Sequence, residues 1–380
     1  MDFSLTEEQR LLKETVRDFA QTEIKPFALK WDKTGEFPSN VLKKAAQLGL
    51  MGIFIPTEYG GSGMDTVAYV LALEEICKAD AGVGVIVSVN NSLVCDPIFH
   101  FGTEEQKKRY LIPLAKGEML GCFALTESGA GSDPAGMATQ AIKENDCYVL
   151  NGTKLFATNG AHAQVTITFA VTDKGSGSKG ISAFIVERGM PGFSVTKEED
   201  KMGIRSSDTA ELVFENCRIL KENLLGKEGD GLKIALATLD GGRIGIATQA
   251  IGIAQACLEE SIKYSKERTQ FGEPIANFQA IRWMLSDMST EIEAARMLTF
   301  KAAYLKDKGV RYSREASEAK LYASEMANRV AYKAVQVFGG YGYIKDYPVE
   351  KYYRDVRVTT LYEGTSEIQR LVIARELLKD

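Results

Sequence analysis

The sequence predicts an α+β chain in three consecutive parts: helical, then β, then helical. Three observations predict it. Apolar residues recur at helical spacing from residue 6 onward and again after Gly231. Between about 121 and 220 they gather instead in short β-branched and aromatic runs bounded by glycine. No proline interrupts residues 275–347, which suits long antiparallel helices.

Taken in order, residues 6–20 open as a helix, with Thr6 placed to cap it and Gln9 to reciprocate. Helical spacing returns around 39–48, 65–78, 81–100 and 104–116, separated by loops such as Pro56-Thr-Glu-Tyr-Gly-Gly-Ser-Gly. In the middle third, Val165-Thr-Ile-Thr-Phe-Ala-Val, Ile181-Ser-Ala-Phe-Ile-Val and Ala210-Glu-Leu-Val-Phe-Glu read as strands.

Composition removes several classes of function. Of 380 residues 46 are basic and 51 acidic, a formal net charge of −5 that argues against a nucleic-acid partner. The 45% apolar content supplies a large core, and the length allows two or three domains. No stretch approaches eighteen consecutive apolar residues, and the first residues carry acids where a secretory signal would be basic. The expectation is therefore a soluble chain with no membrane partner, cytoplasmic in a bacterium or in an organelle matrix if it is a mature eukaryotic form. Six cysteines without CxxC spacing and two histidines, His100 and His162, leave metal, disulfide and histidine-triad chemistry poorly supplied.

Gly175-Ser-Gly-Ser-Lys-Gly fits GxGxxG, but a strand follows it where a dinucleotide fold needs a helix, so it reads as a hairpin turn. Gly129-Ala-Gly-Ser-Asp-Pro breaks that fingerprint at its third glycine, and no P-loop pattern occurs. Four other segments are too long and too polar for ordinary turns: Cys122-Phe-Ala-Leu-Thr-Glu-Ser-Gly-Ala-Gly-Ser-Asp, Lys154-Leu-Phe-Ala-Thr-Asn-Gly, Val337-Phe-Gly-Gly-Tyr-Gly-Tyr and Leu361-Tyr-Glu-Gly-Thr-Ser-Glu-Ile-Gln-Arg. Main-chain N–H groups beside glycine, with Ser and Thr hydroxyls, suit a polar ligand that comes close to the backbone.

On these segments the chain resembles the acyl-CoA dehydrogenase family over essentially its full length, above all the short-chain, butyryl-CoA dehydrogenase-like branch. Val89-Asn-Asn-Ser-Leu, Lys201-Met-Gly-Ile-Arg, Leu239-Asp-Gly-Gly-Arg-Ile-Gly-Ile-Ala, Glu267-Arg-Thr-Gln-Phe-Gly and Tyr347-Pro-Val-Glu-Lys extend the likeness in the family's own order. The resemblance implies an N-terminal helical domain over 1–120, a central β-barrel domain over 121–228 and a C-terminal four-helix bundle over 229–380. It implies FAD between barrel and helices, an acyl-CoA substrate, an electron-transferring flavoprotein as partner, and a homotetramer built as a dimer of dimers.

By the same resemblance, Phe123, Leu125, Thr126, Gly131 and Ser132 match the first flavin-contacting loop. Phe156 and Thr158 match the second, Thr158 near flavin N5 and Phe156 against the ring. Arg268, Gln270, Phe271 and Gln279 of one subunit, with Gln336 and Gly340 of another, would hold the adenosine diphosphate half. A guanidinium suits a pyrophosphate because it spreads its charge and donates in a fork. Read singly, the two phenylalanines are core residues and Arg268 is a solvated helix-end charge. Thr365 and Glu367 match positions on the flavin's phosphate side.

Glu363 matches the base that removes the α-proton, after which the β-hydride would pass to flavin N5 to leave a trans-2-enoyl-CoA. A thioester α-carbon is a weak acid, so a carboxylate near its ordinary pKa of about 4.3 needs burial to raise it and hydrogen bonds to the thioester oxygen. The backbone N–H of Glu363 and the flavin 2′-hydroxyl would donate those bonds. Tyr362, Gly364 and Ser132 would meet substrate, and Asp240 and Arg243 would contact the pantetheine and the catalytic region. Without the resemblance, Asp240 and Arg243 read as a surface ion pair at i, i+3. Some relatives carry the base at the position of Gly242, where glycine cannot serve.

Asp96 departs from the short-chain pattern. It reads as the cap of a helix whose first turn holds Pro97, with a carboxylate facing substrate as the alternative. That alternative would suit a cyclic or dicarboxylic acyl-CoA. A flavin oxidase of the same fold and a helical scaffold without catalysis are the competing functions.

Overall fold

A computed structural model describes residues 4–379. The N-terminal part is helical throughout: α1 (Glu7–Phe19), α2 (Ala28–Thr34), α3 (Ser39–Gln47), α4 (Thr66–Ala79), α5 (Ala81–Ser88), α6 (Asp96–Phe101), α7 (Glu104–Gln106) and α8 (Ile112–Ala115). Thr6 caps α1 with Gln9 reciprocating, at 3.2 and 3.1 Å. The helix expected over 81–100 is one continuous helical course, α5 and α6 joined by a π-helical segment over Val89–Cys95. It is long and apolar enough to cross a membrane, yet 94% of its most apolar window is buried inside the fold. Asn90 and Asn91 hold the π segment in place, donating to the carbonyls of Met51 and Leu50 at 2.8 and 2.9 Å.

The middle part is an eight-stranded sheet: β1 (Gly121–Ala124), β2 (Gln140–Glu144), β3 (Cys147–Thr158), β4 (Val165–Val171), β5 (Ile181–Glu187), β6 (Phe193–Glu198), β7 (Thr209–Leu220) and β8 (Leu224–Leu225). Its ladder runs β6-β7-β3-β2-β4-β5-β8, with β1 parallel to β4, so the barrel-like wrap keeps two strand edges, β6 and β8. Alternate residues of the central strands bury opposite faces. Val165, Ile167 and Phe169 join the large helical core, whereas Phe184 and Val186 of β5 fill a separate core inside the sheet with Tyr148, Leu150 and Phe214. Burial on both faces is why β4 and β5 carry no charge before Glu187 and only the small hydroxyl residues Thr166, Thr168 and Ser182 among their apolar ones. Gly175–Gly180 connects the antiparallel β4 and β5.

The C-terminal part holds three long helices, α9 (Gly231–Glu267), α10 (Gln279–Asp307) and α11 (Ser313–Phe338), followed by α12 (Val349–Val356) and α13 (Ser366–Leu377). Helix α9 is the axis of the molecule, buried nearly all round from Gly241 to Ala254. At Gly252 a β-carbon would lie 2.7 Å from Cβ of Cys77, so glycine lets α9 approach α4 closely.

One buried charge cluster ties the three parts together. Lys351 of α12 pairs with Asp80, which precedes α5, at 3.0 Å and with Asp355 at 2.5 Å, and Asp355 accepts from the backbone N–H of Ile204 at 2.6 Å. The segment held this way, 201–209, forms part of the site wall.

Candidate active site

A cavity of about 540 Å³ opens between the sheet and the C-terminal helices. Phe123 of β1 lines it, with Leu125, Thr126, Gly131 and Ser132 from the loop that follows, and Phe156 and Thr158 from β3. The two loops are fastened to each other. Buried Lys154 donates to Glu127 at 2.7 Å and to the Leu125 carbonyl at 3.2 Å, and the Leu155 N–H donates to the Thr126 carbonyl at 2.8 Å.

Phe156 does not behave as a core residue. The β3–β7 register shifts between Lys154 and Ala157, and there Phe156 takes φ +56° and is 63% exposed. A phenylalanine in the left-handed region is costly, and a bulge is the usual device for re-aiming one side chain out of a sheet. Phe123 is half-buried and packs on Phe169, ring centroids 5.1 Å apart.

The facing wall is Leu239 of α9 and the segment from Val358 to Thr365 that leads into α13. Tyr362, Glu363, Gly364 and Thr365 all line the cavity. Glu363 and Gly364 both lie in the left-handed region, at φ +53° and +88°, and Thr365 caps α13 by accepting from the Ile368 N–H. The Tyr362 hydroxyl donates to Gln249. Glu367 sits exposed in the first turn of α13, off the cavity wall.

Glu363 is the one carboxyl among the described residues that line this cavity. Its Oε2 is buried with no hydrogen-bond partner. Burial pushes the carboxyl up to about 7, against the opposing charges of Lys320 and Arg243. Orphaned polar atoms concentrate around it: Arg243 Nε, Ser366 Oγ and Gln369 Oε1 are also buried and unpaired. Natural folds leave few such atoms, so a cluster of them marks groups kept for a ligand or a reaction.

Asp240 and Arg243 are not a surface pair. Arg243 is 5% exposed, and burial pulls its guanidinium below the usual arginine range. Its Nη1 donates to Asp240 and, at 3.3 Å, to Ser317, and Asp240 also accepts from Ser313. Neither lines the cavity, although Leu239, next to Asp240 on α9, does. Asp96 does not cap a helix, because the backbone is already helical through Cys95. Its buried carboxylate pairs with Lys306 at 2.9 Å, with His100 at 3.7 Å, and does not line the cavity.

A second cavity, about 560 Å³, lies where α9 ends and α11 ends. Arg268, Gln270, Phe271 and Gly340 of the same chain line it together. The Arg268 guanidinium sits 5.6 Å above the Tyr341 ring, and Phe271, at φ +52° in a tight hairpin, is 96% exposed. Gln279 and Gln336 are exposed on the first turn of α10 and the last turn of α11, off the cavity wall.

Sequence reasoning missed several wall residues. Val85, Val89 and Leu93 enter the first cavity from α5 and the π segment, which simple helical periodicity does not place. Lys320 was missed although it carried a signal: a lysine on the stripe Ala316, Ala319, Ala323, Ala327 of α11, where every neighbour at helical spacing is buried.

Each of the two cavities carries groups that suit one half of a flavin dinucleotide. β-Carbons built on Gly131 and Gly340 would meet nothing within 4 Å, so these glycines answer no packing need of the chain and leave room on the cavity side. Thr126, Ser132 and Thr158 bring hydroxyls to the first cavity, and Arg268 brings a guanidinium beside exposed aromatic rings to the second. Models of the N-terminal, middle and C-terminal domains of acyl-CoA dehydrogenases match residues 6–118, 122–217 and 229–378. The short-chain specific acyl-CoA dehydrogenase of Clostridium acetobutylicum is 52% identical over 379 residues, with 100% of each chain covered. Butyryl-CoA dehydrogenase from Megasphaera elsdenii superposes with a TM-score of 0.98 at 48% identity, again over 100% of both chains. A chain from a structure described as "Electron transferring flavoprotein of Acidaminococcus fermentans: Towards a mechanism of flavin-based electron bifurcation" gives 0.99 at 51%, with 100% of both chains covered. On these matches, and on a site whose parts fit the cofactor, the chain belongs to the short-chain branch of the acyl-CoA dehydrogenase family, FAD-dependent flavoprotein oxidoreductases.

Proposed function

We propose that Glu363 is the base that removes the α-proton of a short-chain, branched or cyclic acyl-CoA, which leaves as the trans-2-enoyl-CoA. Electrons would pass to an electron-transferring flavoprotein, and a homotetramer, arranged as a dimer of dimers, is the working form. The observation that carries the reading is the unpaired, buried Oε2 of Glu363 on a cavity wall opposite Phe156 and Thr158.

The residues divide the work. Val85, Val89, Leu93 and Leu239 give an apolar end that accepts a short acyl group and excludes water from the carboxylate. Raised to about 7, Glu363 is ionised often enough at neutral pH to act, and basic enough to take a proton from carbon. The backbone N–H of Glu363 donates to the thioester oxygen, where negative charge grows as the proton leaves. Arg243 and Lys320 supply positive charge near the Glu363 carboxyl and favour its ionised form. FAD, when bound, supplies the acceptor for the two electrons and the β-hydrogen. Thr126, Ser132 and Thr158 would hold its ring end, and Arg268, Gln270 and Phe271 its pyrophosphate and adenosine end.

The test is Glu363→Gln, made flavin-loaded and mixed anaerobically with butyryl-CoA. The variant should bind the ester yet lose bleaching of the flavin by about 10³-fold or more. Near-normal bleaching refutes the base. In the wild type, fast reoxidation by air would refute the dehydrogenase in favour of an oxidase.

A further inference from the structure

Lys320 stands in the middle of α11 on the face packed against α9 and α13, and it is fully buried. A buried ammonium is costly unless it is paired or hydrogen-bonded. Among the described residues no carboxylate lies within ion-pairing distance of it. Its Nζ donates instead to the backbone carbonyl of Gly364, at 2.7 Å.

That carbonyl follows Glu363 directly, in a turn where both residues hold left-handed backbone. Gln369, also fully buried, donates to the same carbonyl at 2.9 Å and to the Glu363 carbonyl at 3.1 Å. A non-glycine residue at φ +53° persists only where its surroundings over-determine it. Lys320 and Gln369 provide that constraint from two different helices.

We propose that Lys320 is a positioning residue for the dehydrogenation: anchored on the Gly364 carbonyl, its ammonium fixes the turn that aims the Glu363 carboxyl into the cavity and keeps a positive charge behind it. The inference rests on Glu363 being the base. The charged groups that act on Lys320 are Glu363 itself, Arg243 on α9, Glu367 on α13 and Glu325 on α11. Burial lowers Lys320 to about 8, with Glu363 pulling the other way, so it is mostly cationic at neutral pH. Removing that cation disfavours the ionised carboxylate and moves its titration to higher pH.

The experiment compares wild type, Lys320→Met and Glu363→Gln as flavin-loaded enzymes, measuring kcat and KM for butyryl-CoA from pH 5.5 to 9.5. Lys320→Met should lower kcat by about a hundredfold with a KM change of threefold or less, since a misaimed group costs turnover more than binding. Its kcat profile should rise about one pH unit later than that of the wild type. In Lys320→Ala, added propylammonium should restore part of the rate, and propanol should not. A Lys320→Met enzyme with the wild-type profile overturns the proposal while inactive Glu363→Gln leaves the base standing. Turnover by Glu363→Gln overturns the base itself. Should Lys320→Met lose its flavin, Lys320→Gln decides, with a late profile in support and an unshifted one against. Failure of both variants to fold assigns Lys320 to the fold alone and overturns the proposal.

Discussion

A β-carbon built on Gly242 would lie 2.0 Å from Oε2 of Glu363 and 2.8 Å from Cδ2 of Leu93. Residues 121 positions apart in sequence therefore compete for one volume, and the carboxyl occupies it only because α9 has no side chain there. This gives a spatial reason why glycine stands at 242 in a chain whose proposed base is Glu363. Gly242→Ala should displace the carboxyl by about 1 Å or more, enough for a loss in kcat of about a hundredfold. Flavin content should be unchanged. Steady-state kinetics beside the flavin spectrum would check both.

The titration of Glu363 makes activity and stability move in opposite directions. The folded carboxyl keeps its proton up to about pH 7, against an ordinary value of 4.5. The unfolded chain has already ionised there, so unfolding releases a proton between those two values. The contribution of Glu363 to stability is thus greatest below pH 4.5 and declines as pH rises through 7. Over the same upper range kcat should rise, because the proposed base can accept the α-proton only as the carboxylate. Glu363→Gln should melt close to the wild type at pH 5 and a few degrees above it at pH 8, by differential scanning calorimetry.

The fold was legible wherever a segment obeys one period. The capping box at Thr6 and Gln9, the strands Val165–Val171 and Ile181–Glu187 and the proline-free helices α10 and α11 follow from local pattern. Glu363 and the loop residues from Phe123 to Ser132 were legible only as motifs, since nothing in a bare glutamate says that it will be desolvated. Where the reading failed, the reason is tertiary. The π segment changes which side chains α5 and α6 turn inward, so Val89 and Leu93 reach the cavity and Asp96 loses its role as a cap. Arg243 and Asp240 look solvated at i, i+3 until α11 covers them with Ser313 and Ser317.

At the second cavity, Arg268 is partly exposed, held above the Tyr341 ring, and among the described residues has no carboxylate partner. An arginine without a carboxylate, next to the glycine-rich end of α11, is available for a phosphate. Arg268→Ala should weaken FAD by about 10- to 100-fold, the value of one or two charge-assisted hydrogen bonds. The weakening should shrink at high salt. Fluorescence titration of the flavin-stripped protein measures this without any turnover.

Asp96 and Lys306 give a prediction that separates a structural charge from one that selects substrate. Their side chains are 10% and 13% exposed, and the Lys306 ammonium also sits 4.4 Å above the Phe54 ring, next to Gly241. Asp96→Ala leaves that ammonium enclosed without its anion, which should cost about 3 kcal/mol or more in stability. The double variant Asp96→Leu with Lys306→Met removes both charges and should recover most of that loss. Because the carboxylate turns toward Lys306 rather than the cavity wall, the order of preference among butyryl, isobutyryl, glutaryl and cyclohexanecarboxyl esters should be the same in the double variant as in the wild type. A changed order, measured as kcat/KM with an artificial electron acceptor, would return Asp96 to the substrate and favour the reading in which it takes part in selecting a cyclic or dicarboxylic acyl-CoA.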